Sequence, residues 1–598
     1  MLFPKFFLLA AFALSSRFAH AGESLWAEDL KRKTELCGAE SIEKDTVGNF
    51  SKTPTPWFAG SSKVLFDAHE SFIARILLLQ KAKISIDLST YIFDADESTR
   101  AVIDELRKAV RRGVNVRLML DAGGSVMEFA IDHFSHLRSL KLAQEQAQIA
   151  YDKHLTQVKP GQVDIVVFHP LLNMPTIISQ INDRFLRHLP LIEETSMNWN
   201  RRSHDKILII DKENPLDTYA IVGGRNMADR YFGVPKIDEF TYEDIEILMK
   251  NPQAEATHLG NTLGQHYQNL FCSKGNYWIS PNFFDGGNHY KNQIDNGLKR
   301  LLHNSHLAKL YAEMKGSSGF DYLNQNFTPS RLHSANEIEN LKHKTSVVMI
   351  DPNKEAIDTL ENGDSIFREV QRMTAQAKKS IDICTPYIFL SRNERDCLKK
   401  WVSEAPGRTL RLMSNSAATT DNIFTMTSFE KTTAPELMAS KSYECHYLEI
   451  IGDKKVERIA RGTFDNRDHR IEVFELGRLD NKLFKNEWYE GKRAPANEIY
   501  GKLHAKFGII DGQFSFVGSD NLDPRSRNLN SETTFFIESN KIANDLTKIF
   551  ESFIGRSYRF DDPKLQTMKG LKAVRQKIFE IEMVDKVFKS LPLLESAI

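Results

Sequence analysis

His204-Asp205-Lys206-Ile207-Leu208-Ile209-Ile210-Asp211 returns later in the chain as His504-Ala505-Lys506-Phe507-Gly508-Ile509-Ile510-Asp511. Both stretches read H-x-K-x-x-x-x-D. Each is followed by a Gly-bearing step that ends in Asn: Val222-Gly223-Gly224-Arg225-Asn226 in the first copy and Val517-Gly518-Ser519-Asp520-Asn521 in the second. A lone His beside a Lys is usually a surface pair. Two copies in matching context point instead to a duplicated functional unit.

The spacing suits a strand. Side chains alternate faces with period two, so His204 and Lys206 point one way, as do His504 and Lys506. The apolar residues that follow have the composition of a buried strand. Each motif ends in Asp where the strand should stop: Asp511-Gly512 is a turn signal, and Asp211-Lys212-Glu213-Asn214-Pro215 is a longer one. Asp211 and Asp511 are therefore expected to act mainly structurally, supporting the catalytic pair from behind.

A His and a Lys at a strand end suit a phosphate. Lys supplies a point charge for a non-bridging oxygen, and Asn226, Asn521 and Ser519 can add neutral donors. His titrates near neutrality and can serve as nucleophile or as general acid. Two His facing each other across a phosphodiester divide that labour, one attacking phosphorus while the other protonates the leaving alcohol. Each needs a carboxylate to orient its second ring nitrogen. In the second half the candidate is Glu532. In the first half Asp244 and Glu246 compete, and aligning the apolar stretches that follow favours Asp244.

The repeat extends beyond the motif. Lys83-Ile84-Ser85-Ile86-Asp87-Leu88-Ser89-Thr90-Tyr91-Ile92-Phe93 recurs as Lys379-Ser380-Ile381-Asp382-Ile383-Cys384-Thr385-Pro386-Tyr387-Ile388-Phe389. Helical patterns flank each copy, and another apolar strand follows each (114–120 and 409–413). Alternating helix and strand predicts an α/β sandwich, present twice.

These residues resemble those of the phospholipase D superfamily, and more closely bacterial cardiolipin synthases of the C type. The likeness is carried by Asn200-Arg201-Arg202-Ser203-His204-Asp205-Lys206, by the stretch from Gly223 to Phe232, by Asn415-Ser416-Ala417-Ala418-Thr419-Thr420-Asp421, and by Gly518 to Ser526 with Asn530-Ser531-Glu532. It implies two phospholipase D-like α/β halves forming one active site on a pseudo-twofold axis. It also implies a covalent phosphohistidine, no metal and no cofactor, with His204 as nucleophile and His504 as acid/base. Lys206, Lys506, Asn226 and Asn521 would hold the phosphoryl oxygens. The sequence alone leaves open which His does which. Two departures stand out: a longer, charge-rich stretch from Glu430 to Arg470, and Gly224 where the second half has Ser519.

The chain has 598 residues, 41% hydrophobic and 26% charged, with 79 basic against 79 acidic side chains. That balance argues against a broad polyanion-binding surface, so phospholipid is preferred to nucleic acid as substrate. At the N-terminus, Lys5, the apolar run Phe6 to Leu14 and Ala19-His20-Ala21 read as a secretory signal peptide, implying a periplasmic or secreted product. The five cysteines form no metal-type spacing. Export permits a disulfide without requiring one, and Cys384 reads as core. The expected organisation is a signal peptide (1–21), an N-terminal half (22–250), a helical connection (251–345), a C-terminal half (346–560) and a helical tail (561–598). Within these, 170–198 could be a lid or acyl-chain wall, or plain connection. The tail has apolar residues at helical spacing flanked by lysines, which suits either a membrane surface or docking on its own domain. A monomer peripheral to a membrane is expected.

Overall fold

The first half begins with a strand and a capped helix. In a computed structural model of the chain, β1 (Phe58–Leu65) leads into α1 (Ala68–Lys81), where Asp67 accepts from the Glu70 amide. Then follow β2 (Ser85–Thr90), α2 (Glu97–Arg111), β3 (Asn115–Asp121), α3 (His133–Asp152) and β4 (Val163–Phe168). Reciprocal Asp96 and Thr99 hydrogen bonds close the first turn of α2. The motif region contributes β5 (Arg202–Ser203), β6 (Ile207–Ile210), β7 (Tyr219–Gly223), β8 (Thr241–Glu243) and β9 (Glu246–Lys250). Between the halves lie α4 (Leu259–Phe271), β10 (Tyr277–Trp278), α5 (Ser305–Lys315) and β11 (Thr328–Glu337).

The second half repeats the plan with α6 (Ser365–Gln376), β12 (Ser380–Cys384), α7 (Arg392–Ser403), β13 (Thr409–Ser414) and α8 (Ile423–Ser428). A hairpin of β14 (Lys441–Ile451) and β15 (Lys454–Phe464) follows, then β16 (Ile471–Leu476), β17 (Gly501–Leu503), β18 (Phe507–Ile510), β19 (Phe514–Gly518) and β20 (Asn530–Glu538). The chain closes with α9 (Asn540–Ile554), β21 (Ser557–Arg559) and α10 (Lys572–Ser590). The structure describes residues 32–38, 56–125, 133–168, 202–234, 241–273, 276–279, 296–337, 365–451, 454–477, 501–523, 525–526, 530–569 and 572–590. The signal-peptide reading and the lid or wall at 170–198 fall outside them.

Pairing makes the repeat explicit. In the first half β4, β3 and β2 are parallel neighbours, and β6, β7 and β9 continue antiparallel from β2. In the second, β16, β13 and β12 are parallel, and β18, β19 and β20 continue from β12. β1 pairs with β9, β11 pairs with β20, and β1 and β11 pair with each other antiparallel, Phe58 opposite Leu332. The two sheets thus join through equivalent strands. The stretch expected as a helical connection therefore also holds the leading strand of the second repeat. Its sequence, Thr-Pro-Ser-Arg-Leu-His-Ser-Ala-Asn-Glu, lacks the apolar pattern that marks a strand.

Three cores stabilise this arrangement. Leu208 and Ile210 of β6 join α1 and α2 in the first. Ile207 and Ile209 turn the other way and meet Phe507, Ile509, α4 and α9 in a central core shared by both halves. Both faces of the motif strand are buried, which is why its sequence is an unbroken apolar run. Ile510 and β12, β13 and β16 form the third. The charge-rich stretch after residue 430 is largely the β14–β15 hairpin, tied to α7 by the disulfide Cys397–Cys445. A second disulfide, Cys37–Cys272, links the chain's first described segment to the end of α4, and Cys384 is a buried free thiol. In the tail, α10 rests on its own domain: Ile581 is buried and Ile578 packs on the third core, while Phe579 and Met583 stand exposed.

Candidate active site

The strands start just after the lysines, so His204 to Lys206 and His504 to Lys506 form irregular lead-ins at the sheet edge. Strand-like alternation survives. Lys206 and His204 face the site, while Asp205 turns away to His266 Nε2 (2.9 Å), Ser531 and Thr533. At the far end the two motif aspartates sit at φ 50° and 54°, a left-handed conformation that Asp tolerates. Asp211 accepts from the amides of Lys83, Ile84 and Ser85, and Asp511 from those of Lys378, Lys379 and Ser380. Both are splints that tie the motif strand to the start of its neighbour. Asp211→Ala should therefore cost about 2–4 kcal/mol of stability and lower the urea midpoint, while activity per folded molecule changes little. A selective loss of activity at an unchanged midpoint would make Asp211 catalytic instead.

The site is stitched across the halves. β5, just before His204, runs parallel to the start of β20, and the His204 amide donates to the Ser531 carbonyl (3.0 Å). Correspondingly, β17, just before His504, runs parallel to β8, and the His504 and Ala505 amides donate to the Glu243 carbonyl (2.8 and 3.0 Å). Each motif therefore lies against the carboxylate-bearing strand of the opposite half.

That lacing brings both expected carboxylates to the imidazoles, each to the His of the other half. His204 Nδ1 sits 2.9 Å from both carboxylate oxygens of Glu532, and His504 Nδ1 sits 2.6 Å from Asp244 Oδ2. Sequence alignment pairs like positions within a repeat but carries no information on which copy they face. Glu246, the rejected alternative to Asp244, is buried against Arg75 and Ser71. The Gly224/Ser519 difference follows from the same geometry. A Cβ on Gly224 would lie 2.1 Å from Asp244 Oδ1, whereas the Ser519 hydroxyl donates to Glu532 and accepts from the Thr533 amide (3.0 Å). Ser519, expected among the phosphate donors, here directs its hydroxyl to the carboxylate that partners His204.

Both lysines are buried, and each donates to the carbonyl of its own His (2.6 Å). Asn226 accepts from the Ile92 amide (3.0 Å) and is hydrogen-bonded to Tyr231. Asn521 Oδ1 is buried with no hydrogen-bond partner. Burial pushes Lys206 down to about 7 and lowers Lys506 as well. Burial, then the charges of Lys206, Lys506 and His504, hold His204 well below the usual imidazole range. Burial and Lys506 lower His504 too, against the pull of Asp244. The carboxylates differ. Burial pushes Glu532 up to about 7 despite Lys206, whereas at Asp244 burial is outweighed by His504, Lys506 and Arg225, which hold it below the usual range. A phosphate anion between the lysines would supply the negative charge this cluster lacks. Among the described residues no group of His, Cys, Asp and Glu is arranged to hold a metal ion.

Several supporting residues escaped the sequence reading. Buried Arg225 donates to the carbonyls of Leu65, Phe66, Tyr231 and Asp244, fixing the backbone on either side of the His504 partner. A charged residue inside the otherwise small Gly224-Asn226 step was the available signal. The buried Asp205–His266 pair reaches into α4, which carries no motif. Tyr91 stands edge-on to His204 (5.2 Å), and Tyr231 and Tyr242, themselves stacked at 4.5 Å, stand edge-on to His504 (5.3 and 5.2 Å).

Two HxK lead-ins, each completed by a carboxylate from the other half, define a two-half phospholipase D-type site. The model of the family described as "Cardiolipin synthase, PLD-like domain" matches residues 76–258 and 370–554, more than half of the chain, and the chain belongs to that family. Among characterised relatives it is similar to cardiolipin synthase C of Escherichia coli K12, at 24% identity over 489 residues, 80% of this chain and 82% of the relative. An uncharacterized protein of Helicobacter pylori J99 is 20% identical over 80% of this chain and 76% of its own length. Among solved structures, phosphatidylserine synthase of Haemophilus influenzae Rd KW20 aligns with a TM-score of 0.48 and 11% identity over 90% of this chain and 98% of that one.

Proposed function

We propose that the chain is an exported phospholipase D-type enzyme that cleaves phospholipid phosphodiesters through a phosphohistidine and passes the phosphatidyl group to an alcohol, as in cardiolipin synthesis, or to water. The observation that carries this reading is the pair of imidazoles, each held at Nδ1 by a carboxylate from the opposite half beside two buried lysines. That arrangement leaves Nε2 of each ring for the substrate.

In the first step Nε2 of His204 attacks phosphorus, the P–O bond to the head-group alcohol breaks, and the departing oxygen takes the proton from Nε2 of His504. In the second, an acceptor returns a proton to His504 as its oxygen bonds to phosphorus and the P–N bond breaks. The unequal carboxylates support this division. Asp244, held ionised, favours a protonated His504, whereas Glu532, pushed up by burial, leaves His204 neutral with a lone pair to give.

Two disulfides support an oxidising compartment, in keeping with the signal-peptide reading. No helix among the described residues is long and apolar enough to cross a membrane. Exposed Phe424 on α8 and Phe579 and Met583 on α10, helices in contact with each other, offer an apolar patch three residues from Asp421 on which a bilayer could rest. Intact-lipid mass spectrometry of the purified chain with vesicles of phosphatidylglycerol and phosphatidylethanolamine tests the reading. Cardiolipin that disappears in His504→Ala marks a transferase, phosphatidic acid alone a hydrolase, and unchanged lipids would overturn the proposal.

A further inference from the structure

The two sides of the site are not equivalent. Beside His204, Tyr91 is surrounded by Arg202, Arg525 and Asp121. Asp121 is fully buried and engaged with the amides of Ser203, Gly123 and Gly124. Beside His504 the repeat's counterpart of Tyr91 is Tyr387, and here the chemistry changes. The hydroxyls of Tyr387 and Tyr242 both donate to the carboxylate of Asp421, one to each oxygen, the second at 2.9 Å. Tyr242 is stacked on buried Tyr231, and both rings border His504. Asp421 itself is exposed, lies within electrostatic reach of His504 and Lys502, and sits just ahead of α8. Nothing in the motif chemistry uses it.

We propose that Asp421, framed by Tyr242, Tyr387 and Tyr231, is the subsite for the polar alcohol that leaves from, or is added to, the phosphate, and that it selects alcohols bearing a second hydrogen-bond donor. This inference rests on the proposed phosphatidyl-transfer reading. The argument is one of charge and position. A carboxylate repels a phosphate and has no use for an acyl chain. With one donor already on each oxygen it still has lone pairs for the O–H of a glycerol or the N–H of an ethanolamine. The tyrosine rings supply flat walls against which either group, and an ammonium in particular, can rest. The subsite borders the His that exchanges a proton with the alcohol oxygen. A leaving alcohol and an acceptor pass through that same proton-transfer position in opposite directions, so one pocket would select both.

The test compares three donors in vesicles of otherwise identical composition: phosphatidylglycerol, phosphatidylethanolamine and phosphatidylpropanol, the last lacking a second donor. The full chain is expected to prefer at least one of the first two over phosphatidylpropanol by roughly 10- to 100-fold in kcat/KM. In Asp421→Ala that ratio should fall towards one. Whether the glycerol or the ethanolamine ratio collapses identifies the natural group. Tyr387→Phe, which removes one phenol O–H with little change of shape, should shift the same ratio by less. Equal loss on all three lipids in both variants, or a wild-type ratio near one, overturns the subsite. No product from any of the three lipids overturns the phosphatidyl-transfer reading instead.

Discussion

His504→Ala is expected to stop turnover of a natural phospholipid yet leave the first half of the reaction accessible to a substrate that needs no acid. With a phosphatidyl ester of p-nitrophenol, whose leaving group departs unprotonated, this variant should release about one nitrophenolate per molecule and then stall as a protein carrying the phosphatidyl group on His204, detectable by intact mass. On phosphatidylglycerol the same variant should lose roughly 10²–10⁴-fold or more, because the alcohol cannot leave as an alkoxide. His204→Ala should release nothing from either substrate, since the bond-forming nucleophile itself is gone. The asymmetry follows from the surroundings of two chemically identical rings. Charges and burial depress His204 well below its ordinary range, while ionised Asp244 counters the fall at His504. A burst from His204→Ala and none from His504→Ala would exchange the roles. Steady turnover by either variant would sink the shared site altogether.

Local sequence made half of this geometry legible. The paired motifs, the strand they open and the structural task of Asp211 and Asp511 all followed from period-two alternation and turn chemistry, and β6 and β18 stand where the apolar runs begin. The repeat was equally visible in β2 and β12, which share Ser-Ile-Asp followed by an apolar residue at the same place in each half. What stayed hidden depends on contacts between distant segments. β11 is polar because its partners β1 and β20, rather than its own composition, hold it in the sheet. The exchange of Glu532 and Asp244 between halves is a property of how two copies dock, to which each copy's sequence is blind. Asp205 and Ala505 occupy the same motif position, yet only Asp205 has a carboxylate to meet the buried His266 of α4, a pairing distant in sequence. Tyr242, Tyr387 and Asp421 come from three separate elements and converge only in the folded chain.

The crossed carboxylates lead to the second large expected effect, which separates this arrangement from any in which each half serves itself. Asp244 lies in the first half of the chain but orients His504, so Asp244→Asn should reproduce the His504 phenotype: a nitrophenolate burst near full amplitude, with phospholipid turnover reduced by ~10²–10⁴. Glu532 lies in the second half but orients His204, so Glu532→Gln should suppress the burst itself. The amide replacements keep the volume of each side chain. They also leave the Arg225 bond to the Asp244 backbone carbonyl intact and keep an oxygen able to accept from Ser519, so the fold is retained and the defect lies in imidazole orientation and charge. Losing the carboxylate at Asp244 removes the charge that opposes the fall of His504 and favours its protonated form. Losing it at Glu532 removes the partner that fixes the Nδ1 proton and with it the direction of the Nε2 lone pair. Within-half pairing predicts the reverse assignment, with Asp244→Asn abolishing the burst and Glu532→Gln sparing it. Burst amplitude in these two variants therefore reads out the connectivity of the site directly, since two active halves acting separately would yield half-amplitude bursts in both.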